Sequence, residues 1–564
     1  MKKRIGILLA AILLLGCLPA LAWQDVHVEK TADKPQSHIT VGSTTRVNGM
    51  FFTNQFGNNA SDIDVRSMLH GYNPVVWASQ VEFSLDPQVV ADMHKTISTD
   101  GSMTYTITLH KDLKWNDGTP IHAADYVFAY LLQASPEFAA IGADTAVWRH
   151  IVGYEEYANG KTDNLQGVRL LDEDRYSITV KAEYEPYFYE FSYLSVNPCP
   201  IAVIAPGCTV VDRAAGAAIV DADNNTAQTA FTAQLLESTV MGEEGYMTHP
   251  ELTCGPYSLV AYDAASGQVE FERNVLYKGN YEGAKPAIDT VTLVPVLQSS
   301  MIDDLLSGKV DLLNKVASEN TIKQARKTLN NNRFKFQSYA RLGYGFVAIA
   351  CEQGPQQFEK VRQALACVID SKAFVKNYLG GSGLTVKGYY GIGQWMNQAV
   401  NGSYRPENID EAQQKQWDAL SLDVLDAYDY DAERALNLLI EDGWVLNADG
   451  DAFDPAKDDI RYKQLEDGSL MPLTFRFAVT KDNAAAAYIV SGLQSVLPVL
   501  GAQLVETEIS FTDLLKAYYR EGGNRSYDLA FMATNFISTF DPYMHFASEA
   551  DYAGAMNTSG IDDA

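Results

Sequence analysis

The sequence predicts an α/β protein of more than one domain. Its 564 residues exceed the size at which one hydrophobic core stops growing, so two or three domains are expected. Between Leu473 and Glu508 a strand pattern, an amphipathic helix (Ala484 to Leu500) and a second strand pattern follow one another. That alternation builds a sheet covered by helices. A hydrophobic share of 47% with 20% charged residues is that of an ordinary globular chain.

The first residues set the compartment. Lys2, Lys3 and Arg4 precede an aliphatic run from Ile5 to Leu15, too short to cross a bilayer and fitting a signal-peptide core. Two ends are open. Ala20-Leu21-Ala22 offers cleavage before Trp23, giving a signal peptide over 1–22. Leu14-Leu15-Gly16-Cys17 resembles a lipobox, which would leave Cys17 lipidated as a membrane anchor. Either way the protein is exported. No other stretch reaches transmembrane length.

Ser37 to Gly42 reads as a first strand, followed by a polar, Gly/Asn-rich stretch to Asn59, and Val65 to Leu69 as helix. From Thr104 to Trp115 β-formers alternate, Asn116-Asp117-Gly118 makes a tight turn, and a helix starts near Ala123 with Val127, Tyr130 and Leu131 on one stripe. Gly167 to Leu171 and Tyr176 to Val180 are two short strands. Ile288 to Leu293 is another. A helix ends on Gly308 before a strand that includes Leu312. Val361, Leu365 and Val368 form a core-facing stripe. Asp429 is placed to cap the helix that ends at Gly443.

A net charge of −28 disfavours nucleic acid, whose phosphates it would repel. None of G-x-S-x-G, H-E-x-x-H or a phosphate-binding P-loop occurs, and the nine histidines lack metal-ligand spacing. Asn447 to Asp451 begins like a calcium loop but has Ala452 at the glycine position, so it reads as a turn. Cys199 and Cys208, nine apart, could close a disulfide in an oxidising compartment; buried thiols are the alternative for all the later cysteines.

Several blocks together resemble one family. They are Ala91 to Pro136, with its KWNDGTP core, Thr253 to Leu259 (TCGPYSL), Phe271 to Tyr277 (FERNVLY), Leu305 to Leu312 (LLSGKVDL), Phe358 to Asp370 (FEKVRQALACVID) and Tyr428 to Trp444. In order and spacing they resemble the extracytoplasmic solute-binding proteins of peptide/nickel-type ABC importers, the dipeptide/oligopeptide-binding branch. The resemblance implies a two-lobe α/β clamp of the periplasmic-binding-protein kind (type II-like) with an extra inserted domain. Its parts are expected at 23–70 and 163–286 (lobe I), 71–162 (inserted domain), 287–535 (lobe II) and 536–564 (return towards lobe I). Relatives continue well past their counterpart of Asp541-Pro542, so a truncated C-terminus is expected.

The implied function is capture of an oligopeptide-like solute between the lobes and delivery to an ABC permease, by a monomer without cofactor or catalysis. Alternatives are a carrier of oligosaccharide or another non-peptide solute, or a sensor built on the same clamp. A secreted hydrolase would need a nucleophile or metal set that the sequence does not display. In peptide-binding relatives an Asp of the segment over the cleft pairs with the ligand's α-ammonium. Aligned on Asp541-Pro542, this chain reads Asn535 to Pro542 with Ser538 at that place. A hydroxyl cannot neutralise an ammonium, so a different anchor or a neutral solute is expected. Tyr389, Tyr390 and Trp395, in and after the glycine-rich stretch Gly388 to Gly393, are candidates to stack on the solute, with Tyr344 and Phe346 as further candidates, and the resemblance adds Asn535, Ser538 and Asp541 as ligand-binding candidates.

Overall fold

The computed structural model describes residues 38–57, 59–77, 83–185, 187–224, 228–316, 319–328, 334–337, 343–381, 383–402, 404–405, 409–481, 483–520, 525–536, 543–546 and 557–561. The leader, Cys17, Ser538 and Asp541 lie outside these residues. No helix among them is long and apolar enough to cross a membrane.

The first strand, His38–Ser43, lies inside a five-stranded sheet. It pairs in parallel with Thr290–Pro295 on one side and Leu312–Asn314 on the other, Val41 facing both Leu293 and Leu312. Gln268–Arg273 and Tyr257–Asp263 continue the sheet antiparallel. Helix Ala60–Leu69 covers it, its first amides held by the Asn59 side chain. Val65, Leu69, Phe271 and Leu293 fill the space between. Thus Thr290–Pro295 and Leu312–Asn314, expected in lobe II from 287 onwards, belong to this sheet. Parallel pairing to a strand some 250 residues earlier leaves no local trace in the sequence.

A second body lies between the first strand and Tyr257. Val90–Ile97, Met103–Leu109, Arg175–Val180 and Val168–Leu170 make one antiparallel sheet, and Asn164–Leu165, Gly216–Asp221 and Cys208–Arg213 another. Helix Ala123–Ala134 packs against strands of both and buries nearly every residue, the pattern of a helix apolar on all sides. The inserted body therefore runs well beyond 162, because the strands that complete its sheets come after that point. The strand expected to reach Trp115 ends at Leu109, and Gly118 has the expected turn φ of 90°.

Cys199 and Cys208 are both free and buried, correcting the disulfide considered from their spacing. Cys208 opens a strand paired to Asp221, whereas the Cys199 Sγ lies against Gln133 of the buried helix. Burial pushes both thiols upward, Cys208 to about 11.

Lobe II is a four-stranded sheet in the order Gly343–Ile349, Leu529–Asn535, Thr474–Val479, Gln503–Glu508. One face buries Val361, Leu365, Leu439, Trp444, Phe475 and Phe477, and the other Ala348, Ala530 and Leu514. Asp528, 2% exposed, accepts from the Arg476 guanidinium at 2.6 and 3.0 Å and from its backbone at 2.8 Å. Helix Ala432–Glu441 is capped by Asp431 instead of Asp429, the carboxylate that reaches the Arg434 amide. Asn447 accepts from the amides of Asp449 and Asp451, the expected turn. The segment 557–561 lies on lobe II, where the Ser559 carbonyl accepts from the Cys351 amide at 2.8 Å. These residues do not return to lobe I as expected for 536–564.

Candidate functional site

Strand Gly343–Ile349 places Tyr344 and Phe346 two apart, hence on one face, with ring centroids 4.9 Å apart at 18°. Its neighbour Leu529–Asn535 runs antiparallel with Tyr344 opposite Thr534, which carries Phe536 just past the strand end. Phe536 stacks on Tyr344 at 5.5 Å. Tyr389 meets Tyr344 at 5.8 Å and 89° and Phe536 at 5.0 Å, and His545 and Phe546 close its other side at 5.0 and 5.4 Å. The rings form an aromatic basin, with Phe546 45% exposed at its rim.

The loop bearing Tyr389 is held by close packing. A Cβ on Gly391 would lie 2.9 Å from the Gly343 backbone nitrogen, so only glycine fits there. The Gly391 amide donates to the buried Gln394 side chain at 2.7 Å. Burial pushes the Tyr344 and Tyr389 phenols well above their ordinary range, so both stay neutral and offer a hydroxyl beside an apolar face.

Trp395 starts helix Trp395–Val400 and faces another way. Its indole N–H donates to the Tyr189 hydroxyl, and its ring stacks on Phe188 at 4.9 Å and 21°. Behind it lie Tyr404 and Trp417 at 6.1 and 6.2 Å. Tyr189 packs with Trp77, Phe83 and Tyr187. Trp395 is thus a point of contact between lobe II and the inserted body. The segment bearing Tyr189 is tied down by Tyr105, whose hydroxyl lies 2.7 Å from Glu185 and 2.9 Å from Glu190, with Lys95 paired to Glu190. Burial first, then these two carboxylates, drive the Tyr105 phenol far upward.

Of the residues singled out in the sequence, Tyr344, Phe346 and Tyr389 come together. Tyr390 does not join them, since its hydroxyl accepts from the Lys387 amide at 3.0 Å and holds it to its own loop. Asn535 ends the strand that leads to Phe536, and Ser538 and Asp541 lie outside the described residues. The sequence does not single out Phe536, Phe546, Phe188 or Tyr189, and His545 reads there as a plain surface or helix-end residue. A signal existed for Phe188 and Tyr189: Tyr184 to Tyr193 holds six aromatic residues in ten.

A sheet-built lobe interrupted by an inserted body, and a second sheet-built lobe, define a two-lobe α/β architecture. The model of the bacterial extracellular solute-binding proteins, family 5 (Middle), matches residues 86–553, and the chain belongs to that family. The family binds and transports solutes and is not enzymatic. Among curated proteins the chain is similar to the oligopeptide-binding protein OppA of Lactococcus lactis subsp. lactis, 25% identical over 364 residues, covering 61% of this chain and 50% of that protein. The chain thus spans about half the length of curated relatives it matches. Among solved structures it is similar to lactococcal OppA complexed with an endogenous peptide in the closed conformation (TM-score 0.65, 17% identity, 93% of this chain and 86% of that chain). It is also similar to Bacillus subtilis AppA in complex with a nonapeptide (TM-score 0.63, 18% identity, 94% and 86%). At these identities the likeness shows a common fold.

Proposed function

We propose that this chain is an exported binding protein that captures an oligopeptide-like solute over the lobe II aromatic basin and delivers it to an ABC transporter permease. The observation that carries the reading is the convergence of Tyr344, Phe346, Tyr389 and Phe536 within a family of solute-binding proteins. The partly exposed rings of Tyr344, Phe346 and Tyr389, backed by the buried Phe536, with neutral tyrosine hydroxyls, suit apolar side chains and backbone amides of an extended peptide. Ser538 at the usual carboxylate position favours a peptide held by something other than an Asp–ammonium pair. The protein acts as a monomer, free in the extracytoplasmic space after cleavage following Ala22 or held at the membrane through lipidated Cys17. A second reading, an oligosaccharide carrier, rests on the same rings, since aromatic faces also stack on sugars.

Native mass spectrometry of the exported protein, purified without denaturation, tests the choice. Co-purified masses spaced as amino-acid residues are expected. Hexose-spaced masses would replace the peptide with a carbohydrate.

A further inference from the structure

The loop 389–395 carries two aromatic side chains into different parts of the molecule. Tyr389 enters the lobe II basin, and Trp395 touches the inserted body. Between them the chain has little room to slide, because Gly391 presses on the Gly343 backbone and Gln394, 5% exposed, holds the Gly391 amide. Tyr389 and Trp395 are therefore held at a fixed spacing on one short segment, so that the two rings move together or not at all. On the opposite side Tyr189 is 5% exposed and wedged among other rings, whereas Phe188 is 57% exposed and offers a flat face. The indole uses both, donating to the fixed hydroxyl and stacking on the exposed ring. A phenylalanine this exposed, lying under a tryptophan from sequence 207 positions later, contributes little to the core of its own body. Its contact lies between the two bodies.

We propose that Trp395 is a positioning residue that clasps the inserted body to lobe II and couples closure of the clamp to the state of the basin through Tyr389. The proposal rests on the solute-binding reading above for its purpose, but its mechanics are testable with no solute present. Closure is an equilibrium, and a contact made in only one of its states shifts that equilibrium by its own strength. One aromatic pair and one hydrogen bond amount to about a tenfold change in the closed-to-open ratio.

The test is small-angle X-ray scattering of the solute-free, full-length exported protein, with indole N–H exchange read by NMR. Trp395→Ala and Phe188→Ala should each enlarge the radius of gyration, and the double variant should add little to either alone. Tyr189→Phe, which keeps the ring, should speed exchange of the Trp395 indole proton, whose signal is identified by its loss in Trp395→Phe. Tyr389→Ala should alter that same exchange rate. An unchanged radius in both single variants, additive effects in the double variant, or indifference of the indole proton to Tyr389→Ala would overturn the proposal. Should Trp395→Ala fail to fold, the Tyr189→Phe and Tyr389→Ala exchange rates decide it. Because no peptide enters the experiment, failure here leaves the solute reading intact, and failure of the mass-spectrometric test leaves the clasp intact.

Discussion

The inserted body and lobe II both spend heavily on aromatic residues, and they spend them in opposite directions. In the inserted body Tyr105, Tyr126, Tyr130 and Tyr176 are fully buried, with Tyr126 and Tyr176 stacked 5.5 Å apart at 10°. In lobe II the core is built from Phe475, Phe477, Trp444 and Tyr527, while Tyr344 and Tyr389 gather beyond it at the strand ends, where their rings are only partly buried. Buried rings of the first kind fix a scaffold. Rings of the second kind gain by being covered, which is what a solute does. The difference separates a part that holds shape from a part with apolar surface still to cover.

Substitutions should follow that division. The largest effect is expected from Tyr176→Ala, which would empty a site under the buried helix and cost about 3–5 kcal/mol in denaturant unfolding. A loss below about 1 kcal/mol would show that the inserted body is not closely packed.

Acid should attack the scaffold next. His70 and His150 are buried and held neutral, their pKa values lowered to about 4 and about 3 chiefly by burial, and His70 donates to the Phe51 carbonyl at 2.7 Å. The unfolded chain takes up these protons near pH 6.5 and the folded one only near 4, so the stability is complete above about pH 6.5 and is lost as pH falls towards 4. For His70 the loss is on the order of 3 kcal/mol. Asp125, raised to about 6 by burial, works in the opposite sense across the same window and offsets part of it. His70→Gln should flatten the acid limb of a stability-versus-pH curve, and an unaltered limb would contradict the assignment.

Gly391→Ala pushes a methyl group against the Gly343 backbone and should cost about 1–3 kcal/mol, the range for overpacking. A useful second readout is the Tyr389 side, where the change should also weaken solute retention. Smallest is Tyr105→Phe, which removes one hydroxyl between Glu185 and Glu190 and should cost about 1 kcal/mol in thermal unfolding.

The sequence announced what is local. The strand, turn and helix from Thr104 to Ala134, the αL stop at Gly308 and the alternation from Thr474 to Glu508 follow from β-formers, glycine and helical spacing within a few residues of one another. What it hid is non-local. Nothing near Thr290 says that it lies beside His38. The clustered rings of lobe II divide the same way. Tyr344 and Phe346 share a strand face and Tyr389 stands out in a glycine-rich loop, but Phe536 joins them through strand pairing across nearly two hundred residues. Trp395 stands out as an aromatic and its contacts do not, because the partners Phe188 and Tyr189 come from the other body.

The central claim is that the solute rests on the lobe II basin, and the most direct test compares occupancy of the exported wild type and Tyr344→Ala by native mass spectrometry under identical purification. The account predicts a co-purified solute on the wild type and at least a tenfold fall in the occupied fraction of the variant, whose circular dichroism stays that of the wild type. Equal occupancy in the two proteins would contradict it and move the solute away from the basin.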